Sequence, residues 1–212
     1  LPPKVPGDQN DIPQNPANRR TTDNYKMDLN QQKRVVRAYY ASVSFVDTLV
    51  GKILTALEAT GQRDNTIVIL ISDHGFHLGE KQNWTKATLW EEATDSVMMW
   101  RVPGVTQPGR ICTRPVSLLD IYPTLVDLTG IDKPNHLDGH SLLPLLKDVQ
   151  APRSQPAITV YDGHMSVRTE TARFIRYWDG TTELYDSTSD PHEWTNQTNN
   201  PHFAALKTKL AG

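Results

Sequence analysis

Several things are scarce in this chain of 212 residues. It has a single cysteine, Cys112, so no internal disulfide can staple it, and the redox compartment stays undecided. It has no excess of either charge: 22 Lys and Arg stand against 24 Asp and Glu, a formal net charge of -2, and the basic residues are scattered. Neither nucleic acid nor an anionic membrane surface is indicated as a partner. No stretch approaches roughly 18 consecutive apolar residues, so no membrane span is expected. The N-terminus lacks the charged, apolar and small-residue pattern of a signal peptide. Internal repeats and low-complexity tracts are also missing. The chain opens "LPPKVPGDQNDIPQNP", without Met or a recognisable first element, and is expected to be a piece of something longer.

What remains is a hydrophobic content of 37%, enough for one ample core or a main domain with a small appendage. Residues to about 24, rich in Pro, Asn and Asp, read as an extended surface connection. Asp28 is placed to cap a helix that runs to Thr60, with Val35, Tyr39, Val43, Val46, Val50, Ile53 and Leu57 at helical spacing and Gly61 as its stop. "TIVILIS" then has the continuous β-branched texture of a parallel-sheet strand covered on both faces. "SVMMWRV" reads as a second buried strand, and "SLLDIYPTLVDLTG" as a helix started or interrupted near Pro123 and ended at Gly130. After Pro156 the short runs "AITVY", "SVRTE", "RFIRYW" and "TELYD" suggest an antiparallel meander. Asn200 and Pro201 would open a terminal helix. The expected division is a main α/β domain over 1–150 and a small antiparallel subdomain over 151–212.

The chemistry concentrates in "LISDHGFHLGE". Open α/β sheets bind ligands beyond the carboxyl ends of their strands, which is where Asp73 and His74 stand. A carboxylate suits a hard divalent cation; the imidazole could ligate the same ion or hydrogen-bond to a reacting group. A plain alternative stays open for the bare Asp-His-Gly: Asp73 caps a turn and His74 is a satisfied loop histidine. Two Asn-x-Thr sequons, at Asn83 and Asn196, give slight support to a secreted glycoprotein.

The longer stretch "SDHGFHLGEKQNWTKATLWEEAT" resembles the sulfatase family of the alkaline phosphatase superfamily, in the branch near iduronate-2-sulfatase. "AYYASVSFVDTLVGKIL", "DNTIVILISDHG", "PVSLLDIYPTLVDLTGI" and "RFIRYWDGTTELYDSTSDPHEW" agree with it, in the family's order, from about residue 35 to the C-terminus. The resemblance implies the C-terminal portion of an alkaline-phosphatase-like sandwich, a mostly parallel sheet with helices on both faces, plus the small antiparallel sheet and terminal helix. It implies that Asp73 and His74 help hold Ca2+ and that Lys86 contacts the sulfate, where a divalent cation and a fixed ammonium would stabilise charge developing during S–O cleavage. Phe76 and His77, two or three residues beyond the metal pair, could line the substrate pocket; His164 lies where related enzymes approach the substrate, and Arg168 could hold a sugar carboxylate or second sulfate bidentately. Each of these four could equally be packing or solvent-facing, and Trp84, Trp90 and Trp100 read as core or pocket wall.

Sulfatases of this kind use a formylglycine made from the Cys of a Cys-x-Pro-x-Arg motif, and an acidic pair near the start of the fold. Neither is in this chain. Cys112, in "CTRPV", has the wrong spacing and follows the metal pair, so it reads as structural. The expectation is therefore half an active site, with the formylglycine on an N-terminal segment or companion chain, acting on a sulfated carbohydrate outside the cytosol. A phosphodiester or phosphonate monoester hydrolase of the same superfamily, and a non-catalytic binding chain, are the alternatives.

Overall fold

A computed structural model describes residues 1–14 and 26–212. The first helix, α1 (Leu29–Ala59), starts where its cap dictates. The Asp28 carboxylate accepts from the backbone N–H of Asn30 and Gln31, and the Gln31 side chain accepts from the N–H of Asp28, a reciprocal capping box. It ends at Thr60, with Gly61 in the left-handed region at φ 69°. None of its residues is buried, and Tyr40, Phe45 and Ile53 are each more than 60% exposed. Contrary to expectation, α1 is long and apolar enough, by length and composition, to cross a membrane. A core helix whose packing partner is elsewhere has the same signature.

β1 (Val68–Ile71) and β2 (Met98–Arg101) form a two-stranded sheet. The parallel, doubly covered strand expected from "TIVILIS" is, among the described residues, paired antiparallel, Val68 with Arg101 and Ile71 with Met98. The reason lies in the connection. The excursion after β1 returns to the same strand end, where Ser72 and Val97 bond each other: the Ser72 N–H donates to the Val97 carbonyl at 3.0 Å and the Val97 N–H to Ser72 Oγ at 2.9 Å. A strand entering from that end must run antiparallel. Ile71 and Met99 remain 46% and 56% exposed, so "SVMMWRV" does not make a buried strand within this chain.

That excursion contains the short helix α2 (Glu91–Thr94). Beyond β2, Ser117 caps a 3-10 turn that leads into α3 (Ile121–Thr129), closed by Gly130 at φ 69°. The buried Asp120 binds this region together, pairing with Arg153 at 2.7 Å and accepting from the N–H of Ser117 and of His140. α4 (Leu143–Lys147) follows.

The C-terminal meander is β3 (Ala157–Tyr161), β4 (His164–Arg168), β5 (Ala172–Arg176) and β6 (Thr182–Asp186), antiparallel in that order. β4 begins two residues earlier than expected because Asp162 and Gly163, both at positive φ, make a two-residue hairpin turn. The terminal helix α5 (Ala204–Ala211) follows a turn capped by Asn200.

One face of this sheet packs on the chain's start and on the strand-tip excursion. Ile12, Leu89, Trp90, Ile175, Tyr177 and Tyr185 form the core cluster. At its centre the Glu183 carboxylate, 0% exposed, accepts from Trp90 Nε1 at 2.8 Å and from the hydroxyls of Tyr177 and Tyr185 at 2.6 Å each. Burying such a carboxylate is tolerable only because these donors replace its water shell. The start of the chain is mostly exposed, as expected of a surface connection, but Asp8 and Ile12, 5% and 6% exposed, tie it to the core; the part of that expectation falling on 15–24 lies outside the described residues. Both sequon asparagines are also engaged. Asn83 is 1% exposed and accepts from the Trp84 N–H, while Asn196 accepts from Leu184 and Thr198 and donates to the Asp11 carbonyl.

Candidate active site

The site is built at the tip of β1. The chain bends at Asp73, and just after His74 the Gly75 N–H donates to the Ala93 carbonyl at 2.9 Å, which seats the tip on α2. Asp73 projects into solvent, its side chain 85% exposed, and among the described residues no backbone N–H donates to it, so it is not a turn cap. His74 is set by its two contacts. Nδ1 lies 2.7 Å from the Gly75 carbonyl and must donate there; Nε2 lies 2.8 Å from the Lys86 ammonium and must accept. The ring is thus the neutral tautomer with its Nε2 lone pair turned outward. Asp73 Oδ1 faces the same nitrogen at 3.5 Å.

A carboxylate oxygen and an imidazole lone pair converging this way repel each other unless a cation lies beside them, and the Lys86 ammonium does so here. That donor pair fits part of a divalent-cation shell. It cannot complete one, since Ca2+ takes about six to eight oxygen ligands, and among the described residues no cluster of three or more acidic, His or Cys side chains exists.

Asp73, His74 and Lys86 line a cavity of about 770 Å³ together with Glu91, Asp95, Arg114, Thr159, Tyr161, Arg168 and Arg173. Its arginines are already committed. Arg168 reaches Glu91 through Nε at 3.0 Å and Nη2 at 3.3 Å; Arg173, 2% exposed, pairs with Glu91 and Glu193; Arg114 pairs with Glu170. Burial pushes the Glu91 carboxyl up, but Arg173 and Arg168 outweigh it and hold it below the usual range. A larger groove of about 1540 Å³ runs along β2 and α4 past Trp100 and Cys112, and contains none of Asp73, His74 and Lys86.

The remaining expected contacts fall elsewhere. His77 is 0% exposed, with Nε2 2.8 Å from Thr88 Oγ1 and its ring edge-on to Trp90; burial, with Lys81 adjoining, pushes it down to about 4. It is interior packing and not a pocket wall. His164, 3% exposed, packs against Tyr177 and accepts from the Trp178 N–H, so it too lies inside. Phe76 stacks on Tyr39 of α1 at 5.7 Å, which makes it a strut between helix and strand tip. Arg168 reaches the cavity, but its fork grips Glu91 where a substrate anion was expected. Trp90 is core, at 1% exposure. Burial pushes Glu92 up to about 7, yet Glu92 is not among the residues lining the cavity.

Sequence reasoning missed Glu91, Arg173, Thr159 and Tyr161. All five residues of "AITVY" line the cavity, but nothing local in the sequence says that β3 borders it.

The sulfatase family profile matches residues 2–131, and that of the N-sulphoglucosamine sulphohydrolase C-terminal region matches 79–212. A sulfatase of Formosa agariphila is 37% identical over 206 residues, covering 95% of this chain and 39% of the relative. A protein solved in complex with its substrate D-glucosamine-2-N,6-O-disulfate superposes with a TM-score of 0.76 at 28% identity, over 85% of this chain and 40% of the other. The phosphonate monoester hydrolase of Silicibacter pomeroyi gives 0.87 at 25% identity, over 100% and 48%. The chain thus spans about two fifths of the curated relative and up to half of these solved structures. The first profile includes α1.

Proposed function

The chain belongs to the sulfatase family, and from that premise we propose that it is the C-terminal portion of a sulfuric ester hydrolase acting on a sulfated carbohydrate. One observation carries this reading. Among the described residues lining the cavity, the three arginines are each neutralised by a carboxylate, whereas Lys86 contacts only a neutral imidazole. Lys86 is therefore the cation able to exchange its partner for an incoming anion.

On binding, the Lys86 ammonium would donate to a non-bridging sulfate oxygen, and its hold would strengthen as negative charge develops there. His74, released by Lys86, keeps its orientation through the Gly75 carbonyl and turns its Nε2 lone pair to the same point as Asp73. Asp73 and His74 would hold Ca2+, which supplies Lewis-acid polarisation of the sulfate once further oxygen ligands from the preceding part of the enzyme complete its shell. A formylglycine on that preceding segment or companion chain would supply the nucleophile. Glu91 and Glu193, tied to Arg168 and Arg173, form a charge-neutral floor that does not repel the ester. By the same reading the enzyme works outside the cytosol.

The test is sulfate release from a panel of sulfated oligosaccharides by this chain together with its preceding segment. Release that is lost in Lys86→Ala supports the reading. The likeness to the phosphonate monoester hydrolase favours one second reading, which the same preparation decides: turnover of a phosphonate monoester without release of sulfate would replace the first.

A further inference from the structure

We propose that Lys81 is a positioning residue: its buried ammonium anchors the tip of the hairpin over residues 77–85, sets that hairpin's register, and thereby delivers Lys86 to His74. Its catalytic meaning rests on the role given to Lys86 above.

The hairpin is defined by two backbone bonds. The His77 N–H donates to the Thr85 carbonyl at 3.0 Å, and the Gly79 N–H to the Asn83 carbonyl at 2.9 Å. His74 precedes one arm and Lys86 follows the other directly. The tip is locally disfavoured, because Lys81 and Gln82 are consecutive non-glycine residues at φ 47° and 55°. Side chains resist that conformation, so the surrounding structure must impose it.

The imposing contacts all fall on Lys81. Its side chain is 1% exposed, and Nζ lies 3.1 Å from the Asp8 carboxylate and donates to the Glu193 carbonyl. The ammonium sits 5.1 Å from the ring centre of Trp90 and 5.3 Å from that of Tyr185. The Lys81 carbonyl in turn accepts from the Gln9 side chain. Partners from the chain's start, from α2's approach and from the C-terminal subdomain thus grip one residue. Hairpin register follows turn geometry, and a slip by one residue sends every side chain beyond it to the other face. Without the anchor the tip relaxes, and Lys86 turns away from His74.

The test reads the Lys86–His74 contact itself. The full chain is labelled with 15N, and the imidazole Nε2 of His74 is followed by long-range 1H–15N correlation at one neutral pH, with Lys86→Ala giving the position of the uncontacted nitrogen. Lys81→Met is expected to move the His74 signal to that position while the signals of His202, which is bonded to Asn200 and not to the hairpin, hold. The double variant Asp8→Asn/Lys81→Met, which leaves no buried charge unpaired, is expected to do the same with less loss of stability. Lys81→Arg, which keeps a cation for Asp8, is expected to hold most of the parental position. A His74 signal unmoved in a folded Lys81→Met or double variant would overturn the proposal, as would one unmoved in Lys86→Ala. Loss of the fold in both Lys81→Met and the double variant would also overturn it, reducing Lys81 to a structural ion pair. A shift as expected, with no sulfate released by the completed enzyme, would fault the proposed reaction and leave the positioning role standing.

Discussion

Gly75 lies so close to the backbone of Glu92 that a Cβ added to it would stand 2.0 Å from the Glu92 carbonyl oxygen and 2.6 Å from that of Asp95. The glycine after His74 is thus a matter of contact between two backbones, and neither can yield as a side chain can. Gly75→Ala is expected to push the strand tip off α2 and to destabilise the chain by about 3 kcal/mol. Urea denaturation measures the loss; an unchanged midpoint would remove the close approach from the account.

Lys86 is exposed, so its removal should be felt in chemistry and not in folding. In the enzyme completed by its preceding segment, Lys86→Ala should lower kcat/KM for a sulfate ester by about 10²- to 10³-fold. The thermal midpoint should stay where it was. A comparable fall in both would mean that Lys86 acts as structure.

Asp73 is expected to bind metal through an oxygen that no backbone group occupies. Chelation should abolish turnover by the completed enzyme, and added Ca2+ should restore it. Asp73→Ala should weaken Ca2+ binding by calorimetry by about tenfold or more. Parental affinity in that variant would exclude Asp73 as a ligand.

His77 and Glu92 pull stability in opposite directions with pH. His77 titrates near 6.5 when unfolded and about 4 when folded, so stability is lost as pH falls from 6.5 to 4, about 3 kcal/mol in all. Glu92 titrates near 4.5 unfolded and about 7 folded, so stability is lost as pH rises from 4.5 to 7. Between pH 4.5 and 6.5 the two oppose each other. Relative to the parent, His77→Gln should therefore tilt the stability curve downward with rising pH, and Glu92→Gln upward. Parallel curves for all three proteins would contradict both assignments.

Glu183 collects Trp90 Nε1 and two tyrosine hydroxyls in the core. Removing the carboxylate strands buried donors, each costing about 1 to 3 kcal/mol. Glu183→Ala should accordingly cost about 3 to 5 kcal/mol in urea unfolding, and Glu183→Gln, which keeps one acceptor oxygen, clearly less. Equal losses would assign the effect to packing alone.

Much of the fold was legible in advance because it is written in local chemistry. Asp28 with Gln31 marks a helix start, Gly61 and Gly130 mark helix ends by their left-handed backbone, and the short alternating runs after Pro156 mark the meander. Each signal acts over a few residues, within reach of a single cap or turn. The family could be read as well, since the stretch from Asp73 to Lys86 and the later segments keep their order along the chain.

What the sequence determined by itself, then, is the family, the placement of most elements, and the candidacy of Asp73, His74 and Lys86 at a strand tip. The tertiary structure alone decided which neighbours of that tip reach the cavity. His77 and His164 look as available in sequence as His74, but the C-terminal sheet and Trp90 enclose them. Arg168 looks like a free anion receptor until Glu91, 77 positions away, takes its fork. The same holds for Lys81, whose partners Asp8 and Glu193 lie 73 and 112 positions off. Local propensity carries no term for residues that far apart, because burial and ion pairing are set only once the chain has brought them together.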